Sequence, residues 1–422
     1  MSTTIKEHWL HYLWKMKRLP INLFTTNGLP IQLLQTGIHN KESGPDFFNA
    51  ILKIGTITWT GNVEIHIKSS DWIKHLHHLD SSYENVILHV VYEHDLPIYV
   101  KEEELPVLEL KNYLSKDVLE KVGLFFASRN EIVCAPSWSS VARIYVEKQL
   151  ETAVSRRLQR KSLAIKHRWN ELHNDLTALK IELLLKSLLT KVNELPGMEL
   201  LQRVPYAIVF RLNAYQRTAL LLAVANLLPK EPSLDEYTRK LQIEGDYLLR
   251  KYNLAPMETS SWKFFGCRPT AYPTIRLVVF AQLLEEKQLL EWEEVEIWSS
   301  WWQQLSIELP EYWKTHYHFG KLSLTTKNVL TLSMKNLMLI NGVVPFYFWF
   351  SSEFNLPLES EKILEQLEKI TPEKNRKIEQ FIKLGEKPKS AYETQGYLEL
   401  LNEFCKNHKC LTCQIGTQLI QF

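Results

Sequence analysis

Two β-prone runs joined at a glycine constrain this chain more than any other feature. Asp46–Ile54 and Ile57–Ile67 read as strands joined at Gly55, a natural hairpin break. The second run contains Gly61-Asn-Val-Glu-Ile-His-Ile-Lys68, and side chains alternate faces along a strand. Val63, Ile65 and Ile67 share an apolar face that can pack on a helix. Glu64, His66 and Lys68 share the other face: an acid, an imidazole and an ammonium in a row. A three-residue loop, Ile54 to Thr56, sets Asp46 directly opposite Glu64, with Cβ atoms about 5 Å apart. A two-residue loop puts the two acids on opposite faces. Gly55 favours the three-residue form, which wants glycine where φ is positive. Carboxylates that close repel unless a cation sits between them.

Around this hairpin the first third of the chain alternates helix and strand. Lys6–Met16 carries Trp9, Leu10, Leu13 and Trp14 at helical spacing. Leu29–Gln35 reads as a strand. Ser69–Ser82 reads as a helix capped by Ser70 or Asp71. Asn85–Tyr92 and Pro106–Leu110 read as further strands, so the order is helix, three strands, helix, two strands. Beyond about residue 130 the pattern turns helical. Val141–Lys166 is a long basic helix, and helices follow to about 405, broken at prolines near 196, 229–232, 256, 269–273, 310, 356 and 372. The expected fold class is mixed α+β, an N-terminal αβββαβ core followed by a large all-helical region. The domains expected are 1–130, a helical 131–400, and a cysteine-bearing segment 401–422 packed on the rest.

Six of the fourteen histidines fall between 66 and 94. His75 and His78, three apart on the expected helix, share a face and can reach a metal site or a phosphate. Asp46 and Glu64 are the expected ligands of a hard divalent cation, Mg2+ or Mn2+. Such a cation, with water in its open positions, is the basic kit of phosphodiester hydrolysis. His66 or Lys68 then orients the water or stabilises charge. A zinc hydrolase built on the His75–His78 cluster is the alternative metal chemistry.

The 422 residues carry a net charge of only +2, so nucleic-acid binding must come from local basic patches. Arg156, Arg157, Arg160 and Lys161 form such a patch, read either as a solvated face or as a phosphate contact. Arg268 and Arg276 flank a proline-containing loop and can bind an anion or pair with acids. Three of the five cysteines, Cys405, Cys410 and Cys413, have ligand-like spacing, and His408, Cys134 or Cys267 can supply a fourth donor to zinc or an iron–sulfur cluster. The longest apolar stretches, Thr218–Pro229 and Val343–Phe350, fall short of a membrane helix, and the N-terminus lacks the pattern of a secretory signal. A cytoplasmic chain is expected, with DNA or RNA as the candidate partner and no membrane.

Residues 5–110 resemble the core of the PD-(D/E)XK nuclease superfamily. Asp46, within a literal Pro45-Asp46, matches that family's aspartate, and Glu64 its glutamate. His66 stands where the family has lysine, and Lys68 is placed to take over that role. The resemblance implies Asp46, Glu64, His66 and Lys68 as catalytic residues. Read from the residues themselves, the expected substrate contacts are His75, His78, Arg268 and Arg276. Some members clamp their ends with an iron–sulfur cluster made from one upstream and several C-terminal cysteines, which implies that role for Cys134 with Cys405, Cys410 and Cys413. The whole chain also resembles an uncharacterised bacterial family carrying a domain-of-unknown-function label. The stretches concerned include Gly44-Pro-Asp-Phe-Phe-Asn-Ala50, Gly61-Asn-Val-Glu-Ile-His66, Tyr272-Pro-Thr-Ile-Arg276, and Asn341 with Pro345. The function expected is a metal-dependent phosphodiesterase or nuclease; the missing lysine leaves a non-catalytic interaction protein on a degenerate nuclease scaffold as the alternative.

Overall fold

The computed structural model of the chain describes residues 5–40, 42–231, 235–258, 261–293, 302, 304–323, 330–356 and 360–420. The break expected at Pro232 and the proline of the break near 356, Pro357, lie outside these residues. The chain divides into two units. The first comprises Met1–Thr152, Lys383–Glu386 and Tyr397–Phe422, and the second Ala153–Ile382 and Lys387–Gly396.

The first unit is built on a seven-stranded sheet. Helix α1 (Glu7–Lys15) leads into β1 (Leu23–Phe24), β2 (Pro30–Gln35), β3 (Ile38–His39), β4 (Phe47–Ile54) and β5 (Ile57–Lys68). A crossover holding the single turn α2 (Asp71–Lys74) leads to β6 (Val86–Glu93). A small β7–β8 hairpin (Tyr99–Val100 and Glu103–Glu104) then leads to β9 (Val107–Glu109). The sheet order is β1-β2-β4-β5-β6-β9, with β3 paired to β4. Strands β2, β4 and β5 run antiparallel, whereas β6 is parallel to β5 and β9 parallel to β6. Parallel neighbours cannot be joined by a tight turn, so the chain must cross one face of the sheet between β5 and β6.

Alternation in β5 decides which face. Val63 and Ile65 are fully buried with Trp9, Leu10, Leu13 and Trp14 of α1, Leu88 and Val90 of β6 and Leu108 of β9. Burying each such side chain contributes roughly 1.5–3 kcal/mol, enough to hold the register against a one-residue slip that would turn every side chain over. The polar set, Glu64 and His66, therefore faces the crossover. The C-terminal segment returns to this unit, placing Leu411 and Ile420 in the same core.

Three expectations are corrected here. The hairpin turn is two residues, Gly55-Thr56, because Ile54 pairs with Ile57 and Gly55 (φ 61°) occupies the first central position that such turns reserve for glycine. A bulge in β4 then undoes the consequence. Phe48 and Asn49 together oppose the single Asn62, Asn49 takes a left-handed φ of 56°, and Phe47 pairs with Val63. Asp46 thus comes back beside Glu64. The continuous helix expected over Ser69–Ser82 is absent. It stops after α2, Leu76 turns left-handed at φ 63°, and two short 3₁₀ turns, His77–Leu79 and Ser81–Tyr83, follow. His75 and His78 therefore do not share a helix face.

The second unit is mostly helical. Helix α4 (Arg143–Glu171), preceded in the chain by α3 (Lys116–Ala127), contains the point at which the two units divide, and α5 (Leu176–Leu188) follows it. Later helices, among them Ala214–Val224 and Pro273–Leu283, bury nearly all their apolar residues in one core. The region is not purely helical, since His316–His318 pairs with Lys321–Leu322 in a two-stranded hairpin. Among the described residues no helix is long and apolar enough to cross a membrane.

Candidate metal centre

The polar face of β5 and the crossover above it bring four donor atoms together. His66 Nδ1 meets His89 Nε2 of β6 at 2.9 Å, which turns His66 Nε2 towards the crossover. There it lies 3.1 Å from His75 Nδ1 and 3.4 Å from Glu64 Oε1. His77 Nε2 lies 3.2 Å from the same Glu64 oxygen and is buried without a hydrogen-bond partner. His66, His75 and His77 present ligand atoms all within 4.8 Å of one another. A tetrahedral ion bound at 2.0–2.1 Å needs donors about 3.3 Å apart, and the His66–His75, His66–Glu64 and His77–Glu64 spacings are of that size, while Glu64 stands outside the group of three imidazoles that all approach one another.

Left-handed Leu76 makes this convergence possible. It reverses the chain after His75, so that His77 points back over the site. A left-handed leucine costs roughly 1–2 kcal/mol, and such strain collects where a fold imposes a functional arrangement. His77 is sandwiched between His66, whose ring stacks at 5.2 Å, and Tyr83, whose ring stacks at 3.8 Å. Trp72 packs edge-on to His77 and closes on His89 at 5.2 Å. His75 is exposed, so the centre is open on that side.

Asp46 lies beside these side chains. Its backbone N–H donates to Glu64 Oε2 at 3.0 Å, while the Ile65 N–H donates to Asp46 Oδ2 at 2.8 Å. His11 of α1 approaches the same Asp46 oxygen at 3.3 Å and Glu7 at 3.7 Å.

Burial, then the neighbouring Asp46 carboxylate, pushes Glu64 up to about 9. Burial, then the crowding of His89, His77 and His75, pulls His66 down to about 2, and burial draws His89 to about 3. Burial thus favours a neutral acid beside neutral imidazoles, and a bound cation would reverse that preference at Glu64. Burial works against charge on His11, but Asp46 and Glu7 outweigh it and raise that imidazole.

The other expected site residues are placed as follows. Lys68 is half-exposed at the far end of β5, 3.9 Å from Glu93 and 4.0 Å from Asp95, and does not join the donor cluster. His78 is exposed and lines a cavity of about 230 Å³ with His77, Tyr83, Asp80 and Lys101. Arg268 and Arg276 belong to the helical unit; Arg268 is exposed, and Arg276 is buried in the helix Pro273–Leu283, drawn down to about 10 by burial. Glu7, His11 and Tyr83 escaped the sequence reading. Glu7 and His11 stand four apart on a helix otherwise read for its apolar face, and that i,i+4 acid–imidazole pair is the signal that marks them.

A second cluster lies in the same unit. Cys134, Cys405, Cys410 and Cys413 are all buried free thiols lining one small cavity, with Trp138 and Phe404. Burial and the nearby Cys134, Cys413 and Cys410 sulfurs raise the Cys405 thiol far above its ordinary range, and Cys134 and Cys410 are raised for the same two reasons. Gly416 packs so closely that a Cβ there would meet the Cys410 carbonyl oxygen at 2.2 Å. Cys267 belongs to the helical unit, and His408 contributes its carbonyl oxygen to the Tyr12 hydroxyl.

Fold and cluster together define a mixed α+β protein with a carboxylate–histidine site on the polar face of its sheet. Residues 7–376 match the family described as Protein of unknown function (DUF2851), and the chain belongs to it. No curated protein and no solved structure matches it significantly.

Proposed function

We propose that the protein is a metal-dependent hydrolase of phosphodiester bonds, with nucleic acid as its substrate class. The observation that carries the metal dependence is the gathering of His66, His75 and His77 ligand atoms within 4.8 Å of one another, with Glu64 Oε1 3.4 Å from His66 Nε2 and 3.2 Å from His77 Nε2. Three imidazoles and one carboxylate suit Zn2+ or Mn2+ better than Mg2+, which prefers oxygen donors. This ligand set merges the nuclease reading with the zinc-hydrolase alternative and moves Asp46 from ligand to neighbour. The phosphodiester reading is supported by the order of the elements. A helix and an antiparallel β2-β4-β5 set precede a crossover to a parallel strand, with Asp46 at the entry to β4 and Glu64 on β5. It keeps the strand part of the arrangement that the nuclease resemblance implies, without the crossover helix.

When bound, such an ion polarises a phosphoryl oxygen and acidifies a water molecule. The chain's own groups then divide the work. His89 fixes the tautomer and orientation of His66 by holding Nδ1. Asp46 and the Ile65 N–H anchor the start of β4 against β5. His11 is held next to Asp46 and can carry a proton at Nε2. Tyr83 and Trp72 wall the site with rings and exclude water from its inner side.

The test is hydrolysis of an activated phosphodiester and of single- and double-stranded DNA and RNA by chelator-treated protein. Expected is activity restored by Mn2+ or Zn2+ in the wild type and absent in Glu64→Gln and His77→Ala. One observation favours a second reading, a scaffold without catalysis: both Asp46 and Glu64 already accept a backbone N–H. Metal binding with no hydrolysis of any of these substrates selects that reading.

A further inference from the structure

The crossover that carries His75 and His77 also walls a cavity. Ile98 and Leu105, at the base of the β7–β8 hairpin, share a small core with Trp72, Tyr83 and Val86, and Val100 packs on it. That core holds the hairpin beside the two 3₁₀ turns of the crossover, His77–Leu79 and Ser81–Tyr83. Residues of both surround a space of about 230 Å³. It lies below the range of drug-sized sites, with room for one base and its sugar but not for a base pair. His77 and Tyr83 line this cavity, and the same two residues stand at the metal centre, so the two adjoin.

The lining says what the cavity takes. The carboxylates of Asp80 and Glu84 stand against one ammonium, Lys101, which Glu84 already holds at 2.8 Å. A phosphate gains little there, whereas an uncharged polar group finds both donors and acceptors. Tyr99 also lines the cavity and is 58% exposed. Exposed aromatic rings are the faces on which unpaired bases stack. Trp72, a third lining residue, is fully buried, and its indole N–H has no acceptor. A buried donor left so is costly, and an acceptor on a ligand relieves it. The hairpin turn is strained as well. Val100 pairs with Glu103, which leaves Lys101 and Glu102 at φ 51° and 70° in positions that favour asparagine and glycine. We infer that the cavity seats one unpaired nucleoside of the substrate, its base against Tyr99, so that the substrate class is single-stranded nucleic acid. The phosphate stays outside, on the side of the metal centre. This inference rests on the phosphodiester reading of that centre.

The experiment is fluorescence anisotropy of the full chain, chelator-treated and at about 0.15 M salt, with a short labelled single-stranded oligonucleotide and with the same strand in a duplex. Expected is binding of the single strand about tenfold more tightly than the duplex, or better. Tyr99→Ala should weaken it about fivefold or more, and Tyr99→Phe, which keeps the ring, should restore it. Should Tyr99→Ala fail to fold, Ser81→Trp serves in its place: it sets a large ring into the cavity from an exposed position and should block the single strand. Equal affinity for the two forms overturns the proposal, as does binding of neither form or affinity unchanged in Tyr99→Ala and Ser81→Trp. Binding needs no metal and no turnover, so hydrolysis of an activated phosphodiester by the metal-loaded wild type is read separately. Hydrolysis together with binding that ignores Tyr99 overturns the cavity assignment alone. Tyr99-dependent binding without hydrolysis supports the cavity while the hydrolase reading fails.

Discussion

Glu64 Oε1 lies 3.2 Å from His77 Nε2, although the two residues are joined through a crossover that leaves the sheet and returns over it. His66 Nε2 lies 3.4 Å from the same glutamate oxygen. His77 Nε2 is buried there without a hydrogen-bond partner, which is the observation behind the proposed metal centre.

Removing His89 tests the inner support of the site. His89 is buried, lies beside Glu64 in the β5–β6 register and holds His66 Nδ1. His89→Ala should leave all four donors present yet weaken metal binding about 10–100-fold, read by competition against a chromophoric chelator. Unchanged affinity would show that His66 needs no orientation.

The metal-free protein should show a stability maximum near pH 6.5. Glu64 binds its proton more tightly folded (about 9) than unfolded (4.5), so its share of stability is intact below 4.5 and declines as pH rises towards 9. His66 and His89 bind protons more weakly folded (about 2 and about 3) than unfolded (6.5). Their share is intact above 6.5 and is lost as pH falls through the acid range. On the alkaline side the loss should approach about 1.4 kcal/mol per pH unit at most. Denaturant midpoints across pH 4 to 9 check this. Glu64→Gln should flatten the alkaline limb, and saturating metal should do the same in the wild type. An alkaline limb unaltered in Glu64→Gln would contradict the assignment.

Lys68 separates this ligand set from the lysine-dependent arrangement. The side chain is half-exposed and shared between Glu93 and Asp95, and ion pairs of that kind contribute little. Lys68→Ala should change metal-dependent hydrolysis less than about threefold and leave the unfolding midpoint within about 2 °C. A loss of activity comparable to that of Glu64→Gln would place Lys68 in the reaction.

The cysteine cluster makes a separate prediction. Four buried thiols with raised proton affinity should give up protons to a soft metal ion, and anaerobically purified protein should contain either zinc or an iron–sulfur cluster. Elemental analysis with visible absorbance tells the two apart. Cys410→Ser should remove the bound metal and lower the unfolding midpoint. Gly416→Ala should destabilise by about 1–3 kcal/mol or more through overlap with the Cys410 carbonyl. Metal-free wild-type protein of undiminished stability would mark the thiols as ordinary core residues.

Much of the scaffold was legible because β5 alternates so strictly. Val63 and Ile65 could only face α1, which left Glu64 and His66 on the opposite side. The details of the site were not legible. A left-handed Leu76 has no residue-type signature, so the crossover reads as a helix and selects His78 where the fold uses His77. The Asn49 bulge is set by pairing with Asn62 across the hairpin, a tertiary choice that periodicity does not encode, although asparagine is among the residues that tolerate positive φ. His11 reaches Asp46 from α1 only once the sheet has formed. By contrast, cysteine spacing alone marked Cys405, Cys410 and Cys413 as a set, and the return of the C-terminal segment to the first unit brings Cys134 to the same cavity.

The most direct measurement is a titration of chelator-stripped wild-type protein and His77→Ala with Zn2+ and with Mn2+, followed by calorimetry in two buffers of different ionisation enthalpy. A protein also carrying Cys410→Ser removes the contribution of the thiols. Expected is one ion bound at the histidine–carboxylate centre with release of about one proton from Glu64 near neutral pH, and loss of that ion in His77→Ala. An affinity for both ions that His77→Ala and Glu64→Gln leave unchanged would contradict the assignment of Glu64, His66, His75 and His77 as a metal centre.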